Sequence, residues 1–222
     1  MPVMVDIVNM TLPDRRTYRH GDLPAALLAA GIELARVGGP EAVVLREATR
    51  RVGVSPNAAY RHFADHHALK RAVCAEAMGQ LARAMKTEQD AVPGLPAQET
   101  ALARLRAVGA GYLRYARREP GLFRTAFSVA DELTDDDAAA DDGDLTPFGL
   151  LNAALDDLVA VGVLPAARRL NAELMAWSAV HGLSMLLIDG PLKRLDHRQA
   201  DAAGQQLLSH IEAGLLSERP AG

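Results

Sequence analysis

Hydrophobic positions recur along this chain at the three-and-four spacing of amphipathic helices. Leu23, Leu27, Ala30, Leu34 and Val37 define one face of a helix that Asp22 is placed to cap. Gly38-Gly39-Pro40 ends it, and a short helix is expected over about Leu45 to Val52. Gly53 breaks that helix. Ser55 is then placed as N-cap and Pro56 as first residue of another, predicted to end near Phe63. A longer helix is expected from about His66 to Glu88, followed by the linker Pro93-Gly94-Leu95-Pro96. The next carries Leu102, Leu105, Tyr112 and Tyr115 and stops at Glu119-Pro120-Gly121, with a short apolar turn from Leu122 to Val129.

Pro147 opens a further helix with Phe148, Leu151, Leu155, Leu158 and Val159 inward. Pro165 is read as the start of a long apolar helix running to about Ile188. Asp196 with Gln199 makes a reciprocal cap for the last helix, whose stripe is Ala200, Ala203, Leu207, Ile211 and Leu215. The alternation of strands is absent, and there is no internal repeat. An all-α fold of about nine helices follows.

Composition supports this reading. The chain has 222 residues, is alanine-rich, and has only 4% aromatics, which argues against a β-sandwich or barrel. Its single cysteine, Cys74, excludes a disulfide scaffold or a multi-thiolate zinc site. No apolar run reaches the roughly 18 residues of a membrane span. Met1 to Met10 lacks the basic start and cleavage site of a signal peptide, so a cytoplasmic protein is expected.

The net charge of −4 conceals an asymmetry. Between Arg15 and Arg71 ten basic residues face five acids, so the remainder is strongly acidic. A basic N-terminal quarter on an acidic body suggests a polyanion partner at one end. The arm Arg15-Arg16-Thr17-Tyr18-Arg19-His20 is suited to phosphate or minor-groove contacts, or is a plain tail. Residues 131–144 hold eight acids without the alternation of a calcium loop, and read as a solvated loop. His62, His66 and His67 lack the acid or thiolate that would complete a metal set. No metal, cofactor or catalytic grouping is expected. Cys74 lies beside Lys70 and Arg71, which would lower its pKa, but one thiol without a partner is ordinarily packed.

The segment from Leu45 to Phe63 is the most informative. Two short helices are joined by a three-residue turn, with Gly53 where a left-handed conformation is needed. Leu45, Ala48, Val52, Val54, Ala59 and Phe63 can pack the pair together. Ser55, Pro56, Asn57, Ala58, Tyr60, Arg61 and His62 are left on or near the outer side. The start of such a helix suits the major groove: Asn57 can bond adenine, Pro56 or Ala58 can touch a thymine methyl, and Arg61 can bond guanine or phosphate. Tyr60 and His62 suit phosphate oxygens.

In order and at matching separations stand Tyr18-Arg19-His20-Gly21-Asp22-Leu23, Gly39-Pro40-Glu41, Leu45-Arg46-Glu47, Gly53-Val54-Ser55 and Tyr60-Arg61-His62-Phe63. Over about residues 18 to 73 the chain resembles the DNA-binding domain of the tetracycline-repressor-like family of bacterial transcription regulators. Trp177-Ser178-Ala179-Val180-His181-Gly182 resembles the Trp-His-Gly signature of one C-terminal subclass. The resemblance implies a phosphate contact at Arg46 and base reading at Ser55, Pro56, Asn57 and Ala58. It also implies phosphate contacts at Tyr60 and His62. Two residues depart from the pattern. Thr49 replaces a small residue and must find a partner or face outward. His66 replaces a phosphate-gripping lysine, and Lys70 is placed to substitute.

The expected organisation is a basic arm over 1–18, a helix-turn-helix domain over 19–65, and a ligand-binding and dimerisation domain over 66–222. The resemblance implies a ligand cavity, with Tyr112, Phe123, Phe127, Phe148, Leu151, Met175, Trp177, His181 and Met185 as candidate lining. Ser178, Gly182, Leu186, Ala203, Leu207, Leu208 and Ile211 are candidates for a two-fold helical interface in a homodimer. The expected function is a repressor released from double-stranded operator DNA by a small hydrophobic molecule. The alternative is a small-molecule-binding protein or enzyme with a vestigial head.

Overall fold

The structure, a computed structural model, describes residues 22–128 and 145–217. Nine α-helices and no strand occur among the described residues. The basic arm and the acidic stretch 131–144 lie outside the described residues.

Helix α1 spans Leu23–Gly38. Asp22 does not cap it: its side chain makes no bond to the first turn. Pro24 occupies the second helical position and removes one of the two N–H groups a cap would serve. The buried arc is Leu27, Gly31, Leu34 and Ala35. Val37, expected on that face, is 81% exposed because it lies at the arc's edge, beyond the last contact. Gly39, at φ 69°, turns the chain into a short 3-10 turn, Pro40–Ala42.

Helix α2 is Leu45–Val52, with Leu45, Ala48 and Thr49 buried. Thr49 does find a partner: its hydroxyl donates to the Arg46 carbonyl at 2.8 Å. Gly53 follows at φ 78°, left-handed, and its N–H bonds the Thr49 carbonyl at 2.9 Å. Helix α3 is Pro56–Tyr60, with the Ser55 hydroxyl accepting the Ala58 N–H at 3.4 Å. It is shorter than expected. The N–H groups of both His62 and Phe63 fold back onto the Ala59 carbonyl, closing the helix as a turn.

Helix α4, His66–Asp90, begins at Asp65, whose carboxylate accepts the Ala68 N–H at 2.7 Å. It joins the first three helices to the rest. Near its start, Leu69 and Val73 are fully buried against α1, where a Cβ on Gly31 would stand 2.7 Å from Val73 Cγ2. Further on, Ala77, Leu81, Ala82 and Met85 belong to the same buried core.

Helix α5 is Ala97–Arg118 and helix α6 is Pro120–Ala126. The sequence suggested only an apolar turn where α6 lies, but Pro120 opens a genuine helix there with Leu122, Phe123, Thr125 and Ala126 buried. Helix α7, Pro147–Ala160, is capped by Thr146, whose hydroxyl accepts the Gly149 N–H at 2.9 Å. The helix expected from Pro165 is interrupted. A 3-10 turn, Ala166–Arg168, gives way to Asn171 at φ 63°, and α8 begins only at Ala172, ending at Ile188. Asparagine tolerates the left-handed conformation that breaks the run. Helix α9, His197–Leu216, starts with the full reciprocal cap between Asp196 and Gln199. Helix α5 lies at the centre, packed against α4, α6, α7, α8 and α9.

Candidate nucleic-acid interface and ligand cavity

The first site lies on α2 and α3. Ala59 is fully buried beneath α3, which fixes the helix's rotation. Ser55, Pro56, Asn57, Tyr60, Arg61 and His62 are exposed as a result, and Ala58 is half-buried. Tyr60 is 54% exposed, large for an aromatic ring.

The basic residues of this region divide into two sets. Glu47 accepts from Arg50 at 2.7 and 2.9 Å and from Arg51 at 3.4 Å. The Arg50 bonds hold its carboxyl down at about 2. Arg46 and Arg61 have no acid within ion-pair distance among the described residues. Lys70 is partly buried and directed at Glu41, 3.6 Å away. The His66 side chain lies outside the described residues.

The second site is a cavity of about 310 Å³ enclosed by α4 to α9. Of the candidate lining residues, Tyr112, Phe127, Phe148, Leu151 and Trp177 line it. Phe123 stands behind them, fully buried, edge-on to Tyr112 with ring centres 5.4 Å apart. His181 is likewise one layer back, 4.8 Å from the Phe127 ring. Met175 does not line the cavity: it is 74% exposed, because α8 turns Ala176, Val180, Ser184 and Leu187 inward. Met185 packs on the core away from the lining.

Several wall residues were not foreseen: Arg71, Cys74 and Met78 from α4, Leu105 and Val108 from α5, and Leu208, Ile211 and Glu212 from α9. Their apolar members carry the same periodicity as any core face, so spacing alone could not distinguish wall from core.

A directed hydrogen-bond chain crosses the aromatic cluster. The Trp177 indole N–H donates to the Tyr112 hydroxyl oxygen at 3.3 Å. The Tyr112 hydroxyl lies 2.7 Å from His181 Nδ1. Trp177 can only donate, so all three groups are satisfied when Tyr112 donates onward to an unprotonated Nδ1, leaving the His181 proton on Nε2. Burial pushes the His181 pKa down and favours this neutral form.

Cys74 is packed, as expected of a lone thiol, but the neighbouring cations do not lower its pKa. Its thiol is buried, donates to the Thr125 carbonyl at 3.0 Å, and has its pKa raised by that burial despite the nearby Lys70 charge. Desolvation outweighs the cation.

The candidate interface residues also separate. Ser178, Gly182 and Leu186 occupy the outer face of α8, and a Cβ on Gly182 would meet nothing within 4 Å. Ala203 and Leu207 are half-buried, Leu207 against the core. Leu208 is 5% exposed and packs onto Gly109, and Ile211 lines the cavity, so α9 turns both inward instead of toward a second chain.

A helix-turn-helix head carried on a helical body with an internal apolar cavity defines a recognisable class of all-α protein. Residues 105–211 match the family model described as tetracyclin repressor-like, C-terminal domain. The solved structures it resembles include a protein of unknown function from Rhodococcus sp. RHA1. That match has 22% identity and a TM-score of 0.73, covering 91% of this chain and 100% of that one. A TetR-family transcriptional regulator from Pectobacterium atrosepticum matches with 19% identity and a TM-score of 0.60, over 87% of this chain and 94% of that one. The TetR-family regulator PfmR from Thermus thermophilus matches at 20% identity and a TM-score of 0.56, over 87% of this chain and 99% of that one. No curated protein shows significant sequence similarity to the chain. Over residues 105–211 the chain is thus similar to the tetracyclin repressor-like C-terminal domain, and its fold is that of the solved structures named above.

Proposed function

We propose that the protein is a homodimeric repressor that leaves its operator when a small apolar molecule enters the cavity. The observation that carries this reading is the rotation of α3: Ala59 is wholly buried while Ser55, Pro56, Asn57 and Tyr60 stand clear. Asn57 and Pro56 then meet base edges, and Arg46, Tyr60, Arg61 and His62 hold phosphates. Helices 1 to 3 form the DNA-binding domain and the remainder forms the sensing and dimerising body.

A single head of this size makes few contacts, so two heads on one face of the duplex are needed. The outer face of α8 supports the pairing. Leu174, Met175, Ser178, Gly182 and Leu186 recur there at helical spacing, and Leu174, Met175 and Leu186 are large apolar side chains left exposed. The absence of a side chain at Gly182 lets a second helix approach.

Ligand response is routed through α4. Cys74 and Met78 face the cavity, while Leu69 and Val73 grip α1. A ligand that prefers one α4 position therefore shifts the separation of the two recognition helices. A hundredfold loss of DNA affinity requires a differential affinity of about 2.7 kcal/mol between the two states.

The test is fluorescence anisotropy with the DNA upstream of the protein's own gene. Binding that outcompetes random DNA and is lost in the Asn57→Ala, Tyr60→Ala double variant is expected. Binding equal on random DNA and unchanged in that variant would instead mark the head as vestigial.

A further inference from the structure

The cavity walls hold three charged side chains, Arg71, Arg106 and Glu212, amid predominantly apolar residues. Two of the three cancel. Arg106 Nε donates to Glu212 Oε1 at 2.8 Å, and a second guanidinium nitrogen bonds the other carboxylate oxygen. Glu212 is mostly covered, with its side chain 14% exposed. Its oxygens are thus committed to Arg106. Arg71 is different: it lines the cavity, is exposed, and has no acid within ion-pair distance among the described residues, the Asp65 carboxylate, itself committed to capping α4, acting on it only at longer range. It therefore stands at the mouth with its planar donor fork available. Cys74, one turn further along α4, is not a competing donor, because its thiol is already given to the Thr125 carbonyl.

We infer that the cavity takes an apolar organic anion, a carboxylate on an apolar body, with Arg71 holding the carboxylate at the mouth. The inference rests on reading the cavity as a ligand site. The guanidinium fork matches a carboxylate in two parallel hydrogen bonds. The ring cluster of Phe127, Phe148 and Trp177 takes the apolar body. A cation would meet the Arg71 charge and find the cavity's acid already occupied.

The position of the anchor also has a consequence for signalling. Arg71 lies between Leu69 and Val73, the two α4 residues buried against α1. A carboxylate held by Arg71 is thus attached to the turn of α4 that carries the head.

Trp177 is the only tryptophan and lines the cavity, so its fluorescence reports occupancy. The test titrates the purified full chain with decanoate, decan-1-ol and decylammonium, each below its aggregation limit, with calorimetry alongside. Decanoate is expected to bind about fivefold tighter than decan-1-ol, the scale of a partly screened charge-assisted hydrogen bond. In Arg71→Gln that preference falls to less than about twofold while decan-1-ol affinity is kept; Arg71→Lys retains part of it. Retained decan-1-ol binding also shows that the variant is folded. Decylammonium binding as tightly as decanoate, or an unchanged preference in Arg71→Gln, overturns the inference and leaves the cavity as a ligand site. No response to any of the three probes overturns both.

Discussion

Gly121 of α6 lies directly on the backbone at the end of α1, against the carbonyl groups of Ala35 and Arg36. A Cβ on Gly121 would stand 2.8 Å from the Arg36 carbonyl carbon and closer still to the two carbonyl oxygens. Backbone atoms cannot swing aside as a flexible side chain can. The same junction carries an ion pair, Arg36 Nε to Glu119 at 2.9 Å. Helix α6 therefore touches the head at one end and supplies Phe127, just past its other end, to the cavity wall.

Gly121→Ala is expected to destabilise the fold by roughly 1–3 kcal/mol through overpacking. Thermal unfolding followed by circular dichroism should show a Tm several degrees lower. An unchanged Tm would mean that the α1–α6 contact is looser than the structure describes.

Gly53 is constrained for a different reason. Its φ of 78° is left-handed, yet a Cβ there would meet nothing within 4 Å. The cost of a side chain is thus conformational alone. Gly53→Val should cost about 1–2 kcal/mol, and Gly53→Asn distinctly less, because asparagine visits this region readily. Equal losses in the two variants would point to a steric cause instead. Denaturant midpoints at constant slope distinguish these outcomes.

These two glycines mark what was legible in the sequence. Gly53 is legible because its requirement is local: a turn between two short apolar-patterned helices. Ser55, Asp196 and Gln199 are local in the same sense, and each caps as read. Gly121 gave no such signal, since its neighbours at the end of α1 lie far back along the chain and only tertiary packing brings them together. The cavity shows the same division. Its aromatic residues Tyr112, Phe127, Phe148 and Trp177 stand out by type, whereas nothing in the sequence marks Arg71 or Glu212 as facing a cavity. Asn171 is the opposite failure. Pro165 as a helix start and the apolar run after Asn171 conceal a break that a single left-handed residue makes. For Met175 and Leu208, spacing placed them on a helix but could not fix which way α8 and α9 are rotated.

His181 makes the stability depend on pH. Burial lowers its pKa below the ordinary value of 6.5, so the unfolded chain binds this proton more readily than the folded one. As pH falls through 6.5, protons are taken up preferentially by the unfolded state, and stability is lost. The wild type should lose more Tm between about pH 7.5 and about pH 5.5 than His181→Gln, which keeps an acceptor for the Tyr112 hydroxyl but does not titrate. Parallel pH profiles would show that His181 is free to protonate in the folded state.

The outer face of α8 gives a prediction about assembly. Leu186 is 43% exposed and Gly182 has open space before it. Leu186→Glu should convert a dimer to a monomer in sedimentation velocity with the helical circular dichroism unchanged, and should weaken DNA binding in step. A variant that stays dimeric would place the interface elsewhere.

In the proposed complex the exposed face of α3 reads bases while α2 holds the backbone. The most direct measurement is DNA affinity across a salt series for the wild type, Asn57→Ala and Arg46→Gln, on operator and on random DNA. Asn57→Ala should narrow the gap between operator and random DNA by about 1–3 kcal/mol per altered contact, with the salt slope kept. Arg46→Gln should weaken both DNAs alike and lower the slope by about one per head. Operator binding with full specificity in Asn57→Ala, and the wild-type slope in Arg46→Gln, would contradict the account.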